Sequence, residues 1–170
     1  MAWMMNREGA AGCRDNDAMS RLRQATRADA DEIWRVRYLV TENRLTPGRL
    51  DHALLYPYLE DWGRGWVIEL APGPNLRIAG FSIGDARDGN IWAMFVDPTL
   101  HGQGYGRQLH GVMVDWLFAQ GLTRLNLGTQ PDSRAEAFYR RAGWRPTDEG
   151  LDAHGDKRFE LHRNDWTSHA

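Results

Sequence analysis

Residues 91–120 read IWAMFVDPTLHGQGYGRQLHGVMVDWLFAQ, and three pieces follow one another in that stretch. Ile91 to Val96 is an apolar run without alternation, which predicts a strand covered on both faces and lying inside a sheet. Asp97-Pro98 ends it, because proline has no N–H to give the ladder. The glycine-rich segment His101-Gly102-Gln103-Gly104-Tyr105-Gly106 then opens into an amphipathic pattern. Leu109, Val112, Met113, Trp116 and Leu117 fall on one helical face, and Gly121 stands where the helix should end. The first N–H groups of such a helix have no intrahelical partner and lie at the positive end of its dipole, so a phosphate is the natural ligand. The alternative is a purely structural glycine turn.

Spacing narrows the choice. A P-loop needs a Gly-Lys pair, and the chain has none. In a dinucleotide fingerprint the third glycine would stand where Arg107 is, and the strand would open the chain instead of lying at its middle. What remains, V-D-P-x-x-x-G-x-G-x-G-R after an apolar strand, resembles the acetyl-CoA pyrophosphate loop of the GNAT acetyltransferase superfamily, [QR]-x-x-G-x-[GA]. Gly104 and Gly106 fit that pattern, and His101 takes the Gln/Arg position.

A second stretch supports the resemblance. Residues 133–144, SRAEAFYRRAGW, place Ala135, Phe138, Tyr139 and Ala142 on one helix face, with Gly143 as its C′ residue. They resemble the family's N-x-x-A-x-x-[LF]-Y-x-x-x-G-[FW], whose tyrosine protonates the departing thiolate. Ala135, Phe138, Tyr139, Gly143 and Trp144 match, while Asp132 replaces the asparagine. Alone, Phe-Tyr on an apolar face reads as core. Here it follows the glycine loop at family spacing.

The rest of the chain agrees in order. Arg21–Ala25 reads as a first strand, and Thr26-x-x-Asp29 as a capping box opening a helix with Ile33, Val36 and Val40 on one side, to about Asn43. A second helical stretch runs from about Arg49 to Asp61, with Pro57 expected to kink it or end it early. Strands are expected at Trp66–Leu70 and Leu76–Gly84 around a Pro72-Gly73-Pro74-Asn75 turn, with Asp88-Gly89-Asn90 as a hairpin turn into Ile91. A short strand at Arg124–Gly128 and a closing hairpin ending in Arg158–His162 complete the set. The expected class is α/β (α+β): a mixed, mostly antiparallel sheet of six to seven strands flanked by about four helices. Residues 1–20 read as an extension, with Met19 as an alternative start, and 21–165 as one domain.

Composition is that of an ordinary globular protein: 170 residues, 42% hydrophobic and 26% charged. A net charge of −2 argues against nucleic acid or an anionic membrane as partner. No apolar run approaches a membrane span. The lone Cys13 precludes an internal disulfide and suits the cytoplasm. Six histidines show no paired ligand spacing, so no metal is expected, and His101 and His110 read as exposed helix-start residues.

The resemblance implies an N-acetyltransferase moving the acetyl group of acetyl-CoA to a primary amine of a small molecule or peptide. Its alternative is a non-catalytic acyl-CoA sensor of the same fold. Backbone N–H groups from Gln103, Gly104, Tyr105 and Gly106 would hold the pyrophosphate, with Arg107 adding charge. Phe95 and Val96 would line the pantetheine arm, Asp132 and Phe138 would contact the cofactor, and Tyr139 would act as acid. The family's frequent strand glutamate is matched by Ala93, so the base is left to Glu42, Asp85 or water. Relatives are often dimers, which leaves a homodimer open.

Overall fold

The computed structural model describes residues 20–40, 52–70 and 76–168. Its elements in chain order are β1 (Ser20–Gln24), α1 (Ala30–Leu39), α2 (His52–Glu60), β2 (Gly63–Leu70), β3 (Ile78–Asp85), β4 (Asn90–Val96), α3 (Tyr105–Ala119), β5 (Arg124–Thr129), α4 (Arg134–Arg141), β6 (Arg145–Leu151) and β7 (Lys157–His162). One seven-stranded sheet runs β1-β2-β3-β4-β5-β7-β6. Every neighbouring pair is antiparallel except β4 and β5. The expected sheet and helix count are therefore met.

Alternation along the strands sends side chains into two cores, one on each face. Val67, Ile78, Phe81 and Ile83 meet Ile33, Val36, Leu55 and Leu59 of α1 and α2. Trp66, Ile68, Ala79, Leu125, Leu127, Phe159 and Leu161 meet α3 and Tyr139. The strand buried along its whole length is β3, not β4. In β4 only Ile91 is fully buried, because this strand loses its β5 neighbour after one residue pair.

Local signals were mostly sound. Asp29 reaches back to the Thr26 N–H at 2.8 Å, and the first turn it opens is 3-10 before α1 begins. Ile33 and Val36 are buried, but α1 stops at Leu39, so Val40 lies beyond it. The expected extension of that helix to Asn43 and the Pro72–Asn75 turn lie outside the described residues. Pro57 does not stop α2: three helical residues follow, and its carbonyl accepts from Asp61 and Trp62. The α3 stripe is also turned from the one expected. Leu109, Met113 and Leu117 are at its centre, but the better-buried flank is His110, Val114 and Phe118, and Val112 and Trp116 are only partly covered. Trp116 instead meets Trp66 of β2 edge-on at 5.6 Å.

Asp29 is the most committed charge in the α1 region. It is 1% exposed and takes 2.7 and 2.9 Å hydrogen bonds from Arg23 besides the Thr26 contact. Burial opposes its charge, but these bonds prevail and hold its carboxyl below the usual aspartate range. A lowered folded pKa gives stability that is present above the unfolded value near 4 and is lost as pH falls through the folded one. Asp29→Ala should cost roughly 2 kcal/mol at pH 7, from charge-assisted bonds to a partly solvated arginine. Urea melts should show that gap closing below about pH 4; a gap independent of pH would mean that the carboxylate charge contributes nothing.

Candidate active site

The site is made by the parting of two parallel strands. β4 and β5 are held together at one end only: Asn90 pairs with Asn126, their side-chain amides meet at 2.9 Å, and Asn126 Nδ2 donates to Asp88 O at 2.9 Å. Beyond that clamp the strands diverge, and a cleft of about 590 Å³ opens between the ends of β4 and β5, the α3 loop and α4. Met94, Phe95, Val96, the loop from His101 to Arg107, Phe138 and Tyr139 all line it.

Main-chain directions follow from the ladder. Asp97 N donates to Ala79 O, and by antiparallel alternation the Phe95 main chain is committed to Phe81. Met94 and Val96 therefore point their main-chain groups toward the parted β5 side. Phe95 contributes a ring, and Val96 a backbone. Asp97 also ends the strand actively: its carboxylate accepts from Thr99 N and Oγ1 and faces Arg35, starting a 3-10 turn with Pro98 as first residue.

The loop then delivers α3. Gly104 is its N-cap, at φ 86°, where a side chain would be strained, and no side chain caps the helix. Arg107 and Gln108 N–H both turn to Gly104 O. The N–H groups of Gly104, Tyr105 and Gly106 have no acceptor among the described residues. A Cβ built on Gly106 would sit 3.8 Å from both Phe138 and Val96, in ordinary contact but inside the cleft. His101 is half-buried, not exposed. Its Nε2 lies 3.2 Å from Val96 O and its Nδ1 2.8 Å from Arg134, so a neutral ring with its hydrogen on Nε2 satisfies both.

On α4, Ser133 caps the helix by accepting from Glu136 N, and Glu136 accepts from Asp132 N. Asp132 itself is exposed, does not line the cleft, and has φ 58°. Asparagine and aspartate are the non-glycine residues most at ease there, so backbone conformation accounts for the residue type at this motif position. Ser133, Thr129 and Gln130 stand in the lining in its place. At the other end of α4, Trp144 N donates to Tyr139 O and Gly143 N to Arg140 O, with Gly143 at φ 91°: a Schellman close.

Tyr139 is 6% exposed, and burial pushes its phenol well above the usual tyrosine range. Its hydroxyl makes no hydrogen bond to a described residue. Behind it lies His110, 2% exposed rather than open, accepting from Trp144 Nε1 at 2.9 Å and ringed by Phe138, Tyr139, Trp144 and Trp166. Arg107, Arg134 and Arg141 line the cleft, and none is paired with a carboxylate among the described residues; the described lining holds no aspartate or glutamate. Asp85 lies at the opposite end of β4, paired with Asn90 in the ladder and bound by Arg87 at 2.6 Å, which removes it as a base. Glu42 lies outside the described residues.

Residues 27–144 match the acetyltransferase (GNAT) family. The chain belongs to this family. The chain is 37% identical over 83 residues to the mycothiol acetyltransferase of Beutenbergia cavernae, a match that takes in 48% of this chain and 28% of that protein's length. The fold is shared with the ribosomal-protein-S18-alanine N-acetyltransferase of Escherichia coli (TM-score 0.61, 17% identity, 85% of this chain and 94% of that one). It is shared equally with a Mycobacterium tuberculosis protein solved in complex with CoA (TM-score 0.62, 19% identity, 83% and 98%). Acetyl-CoA is the family's acetyl donor, and the unpartnered N–H groups, the carboxylate-free lining and the three arginines fit a molecule carrying several phosphates.

Gly106→Ala and Gly106→Leu together separate folding from this fit. A methyl there replaces glycine in a helix, so stability should hold or rise by up to ~1 kcal/mol. The family pattern admits alanine at this position, so calorimetric affinity for acetyl-CoA should be kept with that methyl, whereas the longer side chain of Gly106→Leu, projecting between Phe138 and Val96, should lower it at least tenfold. Unchanged affinity in Gly106→Leu would mean that the cofactor does not approach α3 at this point.

Proposed function

We propose that this protein is an N-acetyltransferase that moves the acetyl group of acetyl-CoA onto a primary amine. The observation that carries the reading is one cleft containing both a helix start with free N–H groups and a buried tyrosine with an uncommitted hydroxyl.

In this reading the pyrophosphate lies on Gly104, Tyr105 and Gly106 N–H, with Gln103 and Arg107 beside it. The pantetheine arm takes the place of the missing β5 partner and bonds the main chain of Met94 and Val96. Phe138 packs against it. The amine nitrogen attacks the thioester carbon, an N–C bond forms, and a main-chain N–H at the end of β4 holds the oxyanion. Comparable donors contribute roughly 2.7–4 kcal/mol. As the C–S bond breaks, Tyr139 gives its proton to the sulfur. Burial keeps Tyr139 protonated at every working pH, and the same surroundings raise the thiol that receives the proton. The ammonium formed on nitrogen loses its proton to water or to Glu42, the two bases the sequence leaves once Asp85 is bound by Arg87. Tyrosine recovers its proton from solvent. The products are an N-acetyl amide and CoA thiol. A lone cysteine and net charge −2 accord with work in the cytoplasm on a soluble acceptor.

Tyr139→Phe should lower kcat by about a hundredfold or more, the usual range for a positioned proton donor, with the acetyl-CoA dissociation constant changed less than threefold. Thermal shifts should show stabilisation by acetyl-CoA and CoA but not by ATP or NAD, by several degrees at a hundred times the dissociation constant. Full turnover in Tyr139→Phe would remove this residue from the mechanism. CoA binding with no acetyl transfer to any amine would instead favour a sensor.

A further inference from the structure

Three arginines around α1 are matched to carboxylates. Arg23 meets Asp29 and Glu69, Arg27 meets Glu60, and Arg35 meets Glu32 and Asp97. Arg37 breaks the pattern. It makes no ion pair or hydrogen bond with a described residue, and its Nη1 is buried without a partner. Its guanidinium carbon stands 4.3 Å from the centroid of the Phe95 ring. Burial lowers its pKa, with no neighbouring charge opposing the loss. An unpaired cation in this setting destabilises the empty protein, and the ring face returns only part of that cost.

Position gives the residue a use. Phe95 lines the cleft, and so does Val40, three residues beyond Arg37 on the same segment. Phe95 packs into the α1 and α2 core, on the opposite face of the sheet from α3 and its phosphate loop. Arg37 is not itself a lining residue; it stands behind Phe95, stacked on the ring that lines the cleft, on the opposite face of β4 from α3. Its Nη1 is walled off, but Nε and Nη2 are neither bonded nor enclosed. That edge of a guanidinium grips a carboxylate through two parallel bonds. One turn earlier on α1, Trp34 Nε1 is a second buried donor without a partner.

We propose that Arg37 binds a carboxylate of the acceptor, so that the amine acetylated belongs to an amino acid or short peptide with a free carboxylate rather than to a polyamine or aminoglycoside. The inference rests on the N-acetyltransferase reading above. A carboxylate held by the Nε and Nη2 edge, against the Phe95 ring, leaves the amine of the same molecule free to reach the acetyl carbon.

The test follows release of CoA thiol by the full chain with the amino acids, a set of dipeptides, the carboxamide of each, and spermidine. Wild type, Arg37→Gln and Arg37→Lys are compared, with acetyl-CoA affinity measured on all three. Acids should exceed their amides in kcat/KM on the order of a hundredfold, mainly through KM, because the amide leaves a desolvated guanidinium without its counter-charge. Arg37→Gln should erase that preference while amide turnover, acetyl-CoA affinity and melting temperature are maintained; Arg37→Lys should keep part of it. Equal rates for acids and amides, a preference that survives Arg37→Gln, or acetylation of no carboxylate-bearing amine by protein that binds acetyl-CoA would each overturn the proposal. A wild-type chain that fails to bind acetyl-CoA would overturn the acetyltransferase reading itself, and this proposal with it.

Discussion

The structure depends on a hydrogen-bond ladder that is deliberately left unfinished. Parallel neighbours β4 and β5 share one residue pair, Asn90 with Asn126, and then separate. A strand in mid-sheet with open N–H and C=O groups would forfeit about 1–3 kcal/mol for each one buried without a partner. The chain avoids that by keeping β4 half-buried, facing a cleft in place of a neighbour. The asparagine clamp confines the separation to one end. The β3–β4 hairpin behind it is firm: Asn90 N bonds Asp88 Oδ1, and Gly89 turns at φ 74°. One end fixed and the other free gives a wedge, and a wedge in a sheet suits an extended ligand that can bond as a strand does.

Charge is sorted around this wedge. Away from it, carboxylates are placed to neutralise arginine: Asp29, Glu60, Asp85 and Glu136 each hold one at 2.7 Å or less. Along its described lining the carboxylates vanish while Arg107, Arg134 and Arg141 remain. A chain of net charge −2 thus presents a locally positive groove. Field lines from such a groove are focused by its low-dielectric walls, so anionic ligands are drawn to it despite the overall sign. His101 belongs to the same sorting. As a neutral ring between Val96 O and Arg134 it orders a cation without cancelling it.

How far the sequence could be read follows from what each feature needs. The glycine loop, the Asp-Pro strand end, the Thr26 box and the Gly143 close are settled by residues within a turn of one another, and all are found in the structure. The helical stripe of α3 failed by one flank, since periodicity gives a face but not the neighbour it will meet; Trp116 found Trp66, and His110 found Trp144. Pro57 does not end α2 for a related reason, as packing of Leu55 and Leu59 holds the helix together across it. The apolar run of β4 implied coverage that the departure of β5 removes, and nothing local announces that departure. Asp132 matched a motif position by backbone need rather than by contact. Arg37 is one arginine among several in its segment, and only the tertiary structure reveals that Arg23, Arg27 and Arg35 are paired while it is not.

The residues around Tyr139 show why the family's Tyr-x-x-x-Gly-Trp spacing can be read as one device. The glycine supplies the left-handed turn that lets Trp144 N close on Tyr139 O, five residues back. The same tryptophan then sends its indole N–H to His110 on α3, the helix whose first turn lines the cleft. The backbone of Tyr139 and the helix that follows the glycine loop are thereby tied through one side chain. His110 can accept that bond only with Nε2 unprotonated, and its ring is enclosed by Phe138, Tyr139, Trp144 and Trp166. The bonds that close α4 therefore also fix where the phenol stands relative to the loop. Folding and chemistry here draw on the same few contacts.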